Sequence, residues 1–443
     1  MDIQSGQVDI FARQTSAIAD YIAYGIEHGC GDCIGLELEH FVVRKDNRGY
    51  VSFYDDPVDG HPGIKRILEK LLPFYDTPIF ETSLDGESNL IGLSRSYAAI
   101  TLEPGAQFEI SIGPVLEIRD LEIVYHAFRR EIDPILDEFG YELLELGYHP
   151  SKRAQDIPLI PKDRYRFMDE YFTGTGGHGK HMMRATASTQ VSIDYDSEAD
   201  AIQKFRIANA LCPLLAFITD NSPVYELEPT KSKELVFAGQ PVINRMIRTK
   251  IWDDVDACRS MTAPHTFEAG FDFNSYAQTV LSAPAIFSVE HDSAGEQRSI
   301  RHYDKTFSEI YADKELDQTA IEHILSLYFF DVRFKTYIEI RAADSLPIEY
   351  ALSYAAFLKG LFFDKATVTA LGAMFKGLSA EDIVSAKLEL QNHAFEATVY
   401  GRKAVDWLDE LVTLSRASLP SFEQDYLDAL EELITSRTTL IDQ

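Results

Sequence analysis

The run Ile34-Gly35-Leu36-Glu37-Leu38-Glu39 alternates apolar and acidic residues along its second half with a period of two. Successive side chains of a β-strand point to opposite faces, so this pattern specifies a strand with Leu36 and Leu38 on one side and Glu37 and Glu39 on the other. Three more segments follow the same rule. Glu109 lies between Phe108 and Ile110, after the turn Glu103-Pro104-Gly105. The stretch Thr189 to Asp194 aligns Gln190, Ser192 and Asp194, and Lys335 to Arg341 aligns Tyr337, Glu339 and Arg341. A chain built this way folds into a sheet that buries one face and collects carboxylates, amides and cations on the other.

The four carboxylates Glu37, Glu39, Glu103 and Glu109 on two adjacent strands repel one another unless cations lie between them. Hard oxygen donors suit Mg²⁺ or Mn²⁺, particularly where nucleotide phosphates complete the coordination. A solvated polar face on an antiparallel sheet is the plain alternative. Arg341 has the fork geometry to grip a carboxylate at two points, and Glu339 is a further candidate metal ligand. A cross-strand ion pair accounts for those two equally well. The segment from Arg164 to Asp200 adds Lys180, Arg184 and the glycines 174, 176, 177 and 179. Read as a loop, it offers converging backbone N–H groups and local positive charge to a polyphosphate. Neither a G-x-x-x-x-G-K-S/T loop nor an H-E-x-x-H zinc motif occurs.

At 443 residues and 45% hydrophobic content the chain has material for a large α/β unit, or for a core with a helical subdomain. A net charge of −30 argues against nucleic acid or an anionic membrane surface as partner. The spacing predicts helices over 12–28, over 61–72, from Asp120 to just before Gly140 and from about 318 to 327. Pro134 predicts a kink or break in the third of these. Ser197 reads as the cap of a helix that follows it. From Pro347 onward the pattern is mostly helical, with breaks near Asp364, Gly377, Gly401 and Pro420. Residues 1–346 are therefore expected to form an α+β core that carries the polar-faced strands, with 347–443 a mainly helical region packed on it.

Four cysteines do not suggest a secreted disulfide scaffold. Cys30 and Cys33 form a C-G-D-C pair, read either as two ordinary thiols beside a strand or as a redox pair. Met1 to Ala19 lacks the features of a secretory signal, and the longest apolar stretches are too short or interrupted to span a bilayer. A cytoplasmic protein is expected.

Six segments, GLELEHF (35–41), LEPGAQFEIS (102–111), RYRFMDEYF with GKHMMRATASTQVSID (164–172, 179–194), TDNSPVYE (219–226), WDDVDACR (252–259) and FFDVRFKTYIEIRAAD (329–344), together resemble glutamate–cysteine ligases. The likeness is to their bacterial and plant-type branch, within the carboxylate–amine ligases related in fold to glutamine synthetase. It implies a curved, mainly antiparallel sheet forming a funnel, with helices outside. It also implies ligation of L-glutamate to L-cysteine, driven by ATP with Mg²⁺ or Mn²⁺, through a γ-glutamyl phosphate. Carried over residue by residue, it implies metal ligation by Glu37, Glu39, Glu103, Glu109 and Glu339, and phosphate contact by Lys180 and Arg184. Arg341 and Arg259 would hold the glutamate α-carboxylate or assist transfer, while Gln190, Asp194 and Tyr337 would line the substrate pocket. Ser192 stands where the family commonly has Asn, and Ala257-Cys258-Arg259-Ser260 departs from its usual loop. Two other readings share parts of this pattern: a ligase joining glutamate to a different amine, and an inactive nucleotide-binding redox sensor.

Overall fold

The computed structural model describes residues 2–82, 86–223, 245–291 and 297–443. Val224, Tyr225 and Glu226 of the fourth family-like segment lie outside these. The strands in chain order are β1 Ile34–Arg44, β2 Thr77–Thr82, β3 Ser88–Arg95, β4 Ala98–Leu102, β5 Phe108–Val115, β6 Tyr141–Leu144 and β7 Ser188–Ile193. They continue as β8 Phe287–His291, β9 Gln297–Arg301, β10 Val332–Phe334, β11 Ile338–Asp344, β12 Thr398–Val399 and β13 Arg402–Lys403. Nine of them form one sheet in the order β10-β11-β7-β1-β5-β4-β3-β2, with β6 also paired to β1, and every pairing is antiparallel.

The period-two pattern explains why β1 lies near the middle of that order. Leu36 and Leu38 are buried and register with Ile112 and Ile110 on β5, and Leu36 also pairs with Val191 on β7. Ile338 and Ile340 extend the apolar face through Ile193 and Val191. The helices Ile118–Phe139, Glu198–Ile218 and Ile348–Phe362 pack against these strands. Burying such a continuous aliphatic face contributes roughly 1.5–3 kcal/mol per large side chain.

Several sequence expectations are met at the level of single residues. Ser197 Oγ accepts the Asp200 N–H as the cap of its helix, and Gly140 closes the helix Ile118–Phe139 in the left-handed conformation. Four readings are corrected. Pro134 lies within one helix rather than at a break, and the first helix runs from Asp2 to His28. The glycine-rich segment is two helices, Asp163–Thr175 and Gly179–Ala185, rather than an open loop. Lys335 to Tyr337 is the turn of the β10–β11 hairpin, with the strand beginning at Ile338. The helix Glu198–Ile218 is long and apolar enough by length and composition to cross a bilayer, although its apolar stretch reads in the sequence as too short to do so. Its apolar window is 89% buried inside the protein, which makes it a core helix.

The helical region after β11 is joined to the sheet layer by a buried charge pair. Lys359 Nζ lies 2.6 Å from Glu423 Oε2 and also donates to the Leu116 carbonyl, while Glu423 accepts the Ile118 N–H. Replacing Lys359 with Met leaves Glu423 buried without its cation, which costs about 3–5 kcal/mol. Urea unfolding of Lys359→Met should show a correspondingly lower midpoint, and an unchanged midpoint would contradict this role for the pair.

Candidate active site

The strand order places the polar residues of four segments on one face. Glu39 registers with Glu109, and Glu37 with both Ser111 and Gln190. Glu339 stands opposite Ser192 on one side and Arg333 on the other. Glu103, in the turn between β4 and β5, completes the group: the five carboxylates perturb one another electrostatically.

Two charge environments share this face. On one side Glu39 accepts hydrogen bonds from the Ser188 N–H at 2.7 Å, the Ser188 hydroxyl at 2.8 Å and the Gln190 amide at 2.8 Å. Glu109 accepts from the Thr101 and Ser111 hydroxyls. Burial, then repulsion from Glu109 and Glu339, pushes Glu37 up to about 7. Burial and Glu39 push Glu103 up to about 7, and burial with Glu103 and Glu39 pushes Glu109 up to about 8. Burial also raises Glu39, against the pull of Arg248 and Arg341.

On the other side Glu339 is fully buried and surrounded by cations. Arg333 donates to both of its oxygens, Lys335 Nζ lies 2.8 Å from Oε1, and Arg341 Nη1 lies 2.7 Å from Oε2. Burial pushes this carboxyl up, but the three cations outweigh it and hold Glu339 well below the usual range. An ionised carboxylate has about four acceptor positions, and these contacts occupy them. A metal ion reaches Glu339 only by displacing one of them.

A cavity of about 450 Å³ lies against the hairpin turn, with Thr336 and Tyr337 in its wall. Tyr24, His28, Glu37, Ser192, Asp194 and Tyr337 contribute to its wall, as do Cys30 and Cys33. The two cysteines are joined as a disulfide with Cα atoms 5.4 Å apart. Burial pushes Asp194 up to about 6, against the backbone N–H groups of Cys30 and Cys33, which donate to it. Gly25 lets the first helix approach the hairpin turn, since a Cβ there would lie 2.0 Å from the Thr336 carbonyl oxygen.

The structure thus gathers Glu37, Glu39, Glu103, Glu109, Glu339, Gln190 and Arg341, with Asp194 and Tyr337 at the adjoining cavity. It engages two expected cations, Arg184 and Arg259, with protein partners. Arg184 donates to both oxygens of Asp169, at 2.8 and 2.6 Å, and to the Ile157 carbonyl, so its guanidinium is engaged by protein. Lys180 is half-buried on the same short helix. The glycines beside them serve packing: a Cβ on Gly176 would meet the Asp254 carbonyl oxygen at 2.1 Å, and one on Gly179 the Phe172 oxygen at 2.4 Å. Arg259 is fully buried, donates to Asp256 at 2.8 Å and lies over the Tyr171 and Tyr328 rings. Those contacts make it a structural cation.

Sequence reasoning missed Arg333, Lys335 and Arg248. The first two were legible in FFDVRFKTYIEIR, had the turn been placed at 335–337, because a hairpin there sets Arg333 opposite Glu339. Arg248 carries no comparable signal. It reaches Glu39 and Asp344 from the helix Ile247–Asp253. Among the described residues, no three His, Cys, Asp or Glu side chains are grouped closely enough to hold one metal ion. The donor chemistry nevertheless fits a hard divalent cation: the donors are all carboxylate oxygens, three of which their neighbours drive toward protonation.

The model of Glutamate-cysteine ligase family 2 (GCS2) matches residues 33–434. The chloroplastic glutamate–cysteine ligase B of Oryza sativa subsp. japonica is 28% identical over 411 residues, covering 92% of this chain and 78% of that protein. The chloroplastic glutamate–cysteine ligase of Arabidopsis thaliana is 31% identical over 299 residues, 66% of this chain and 54% of that one. A crystal structure of glutamate–cysteine ligase from Francisella tularensis in complex with AMP has the related fold. Its TM-score is 0.52 at 12% identity, over 93% of this chain and 83% of that one. The plant relatives are chloroplastic proteins, and on that finding the cytoplasmic location expected from the sequence is withdrawn. The chain belongs to glutamate–cysteine ligase family 2 and is an enzyme of that ligase class.

The raised carboxyls generate a pH-dependent prediction. Their ordinary value is 4.5, so between about pH 4.5 and 8 the folded chain holds protons that the unfolded chain has released. Their contribution to stability therefore declines as pH rises through that window. Mg²⁺ binding near neutral pH should release protons, seen as a buffer-dependent binding enthalpy when calorimetry is run in buffers of different ionisation enthalpy. Mg²⁺ binding without proton release would refute the carboxylate cluster as its site.

Proposed function

We propose that this member of the family joins L-glutamate to L-cysteine with ATP and Mg²⁺ at the polar face of the sheet, giving γ-glutamylcysteine, ADP and phosphate. The observation that carries the reading is the pairing of an acidic cluster with a cation cluster on adjacent strands, in a chain whose family is shown. The γ-carboxylate of glutamate attacks the terminal phosphorus of ATP and ADP leaves. The cysteine amine then attacks the acyl carbon and phosphate leaves.

The two clusters divide the work. The hairpin turn that lines the 450 Å³ cavity through Thr336 and Tyr337 also carries Lys335, and the Tyr24, His28 and Tyr337 rings of the cavity suit a nucleoside base. We assign that end to ATP and give phosphate contact to Arg333 and Lys335 in place of Lys180 and Arg184, which requires that the two share their present bonds to Glu339 with the nucleotide. Glutamate is assigned to the adjoining Glu39 side of Glu339, where Arg341 and Gln190 meet Glu39 and Arg248 approaches. Glu37, Glu39, Glu103 and Glu109 would hold Mg²⁺, with Glu339 joining when a cation moves aside. The metal supplies charge neutralisation of the transferring phosphoryl group. Glu339 meanwhile anchors three cations in one place, so they need no reorganisation when negative charge develops. In this reading the sheet lines a funnel, residues 1–346 carry the chemistry, and 347–443 brace it from outside.

Purified chain supplied with ATP, Mg²⁺ and glutamate should release ADP when cysteine is added and form γ-glutamylcysteine in equal amount. Turnover with another amine in place of cysteine would change the acceptor, and no turnover with any amine would overturn the proposal. Glu109→Gln should lower kcat by about 10²-fold or more with an unchanged circular dichroism spectrum, by analogy with the loss of one electrostatic stabilising group.

A further inference from the structure

The helical region contributes a buried charge to the back of the glutamate end. Lys387 lies on the helix Ala380–His393 and is only 3% exposed. Its ammonium lies 2.8 Å from Asp253 Oδ1 and 2.7 Å from Asp331 Oδ2. Asp253 ends the helix that carries Arg248 and Trp252, and Asp331 immediately precedes β10.

Those two attachments govern the site arginines. The Asp331 carbonyl accepts the Arg341 backbone N–H at 2.9 Å, so the residue held by Lys387 also holds Arg341. Arg248 Nη1 donates to the Arg341 carbonyl at 3.1 Å. Both guanidiniums stand over the Trp252 ring, Arg248 at 5.3 Å and Arg341 at 5.8 Å from its centre. A small cavity of about 20 Å³, close to the room one water needs, is lined by Arg248, Trp252, Asp331, Arg341 and Lys387. Arg248 Nε, Trp252 Nε1 and Arg341 Nε are buried and find no acceptor among the described residues. The outer nitrogens are held, Arg341 Nη1 by Glu339 and Gln190 and Arg248 Nη1 by the Arg341 and Ala342 carbonyls, so the spacing of the two guanidiniums depends on these bonds together with the backbone that the Lys387 bridge ties together.

We propose that Lys387 is a positioning residue for the ligation. By clamping Asp253 to Asp331 it sets the separation of Arg248 and Arg341 at the glutamate end. The inference rests on the assignment of that end to glutamate made above.

A bridge that served folding alone would change stability and leave substrate affinities unaltered. In Lys387→Met the KM for glutamate should instead rise about ten- to a hundredfold, the scale of a displacement of about 1 Å at a reacting site. The KM for ATP, assigned to the Arg333 and Lys335 side of Glu339, should change by less than about threefold, and Lys387→Arg should recover most of the loss. Two buried carboxylates without a cation can prevent folding. The neutral triple variant Lys387→Met, Asp253→Asn, Asp331→Asn removes that obstacle and carries the same expectation. A folded variant of either kind with an unchanged glutamate KM would overturn the proposal. If the parent chain makes no γ-glutamylcysteine, the ligase reading fails separately. The clamp is then judged by the Trp252 indole N–H resonance, which should shift in the triple variant and would refute the clamp by staying in place.

Discussion

The carboxylates on this sheet repel one another, and the rest of the site is an answer to that repulsion. Glu37, Glu103 and Glu109 are pushed toward protonation, by burial first and by their neighbouring carboxylates second. Glu339 meets the repulsion by gathering Arg333, Lys335 and Arg341. Three cations on one carboxylate leave a local excess of positive charge, although the whole chain is strongly negative. Polyanionic ATP would otherwise be repelled from such a protein, so the excess has to be local and buried where long-range repulsion is offset.

Much of this was legible in the sequence because β-strands have a simple period. Glu37 and Glu39 could be assigned to a single face from six residues, and the register with Glu109 and Gln190 then followed from burying Leu36 and Leu38. The glycine-rich segment misled for a physical reason. Glycine marks close approach as well as backbone freedom, and here Gly176 and Gly179 allow tight packing of protein on protein. Arg184 and Arg259 were equally ambiguous, since an arginine gripping a substrate and one gripping Asp169 or Asp256 look alike in a sequence. The family likeness, by contrast, was legible in full, because it rests on six short motifs in order rather than on the geometry of any one residue.

Long-range partners were hidden. Lys387 is 56 residues from Asp331 and 134 from Asp253, and although its position falls on the buried stripe of its helix with Ile383, Ala386 and Leu390, nothing in the sequence names the two carboxylates it meets. Lys359 is similar, reaching Leu116 and Glu423 from opposite directions along the chain. Buried lysines of this kind join the helical region to the sheet through charge as well as through apolar packing, so the two layers share fixed points near the chemistry.

The hairpin joining β10 to β11 has only three residues between its strands, 335–337, and Arg333 pairs directly with Glu339 across it. Side chains alternate faces, so adding or deleting one residue in either strand there would turn Arg333 or Glu339 to the opposite side of the sheet. Chain length at this turn is therefore fixed by the pairing of Arg333 with Glu339, and an insertion that leaves the cation cluster intact has to fall outside the hairpin.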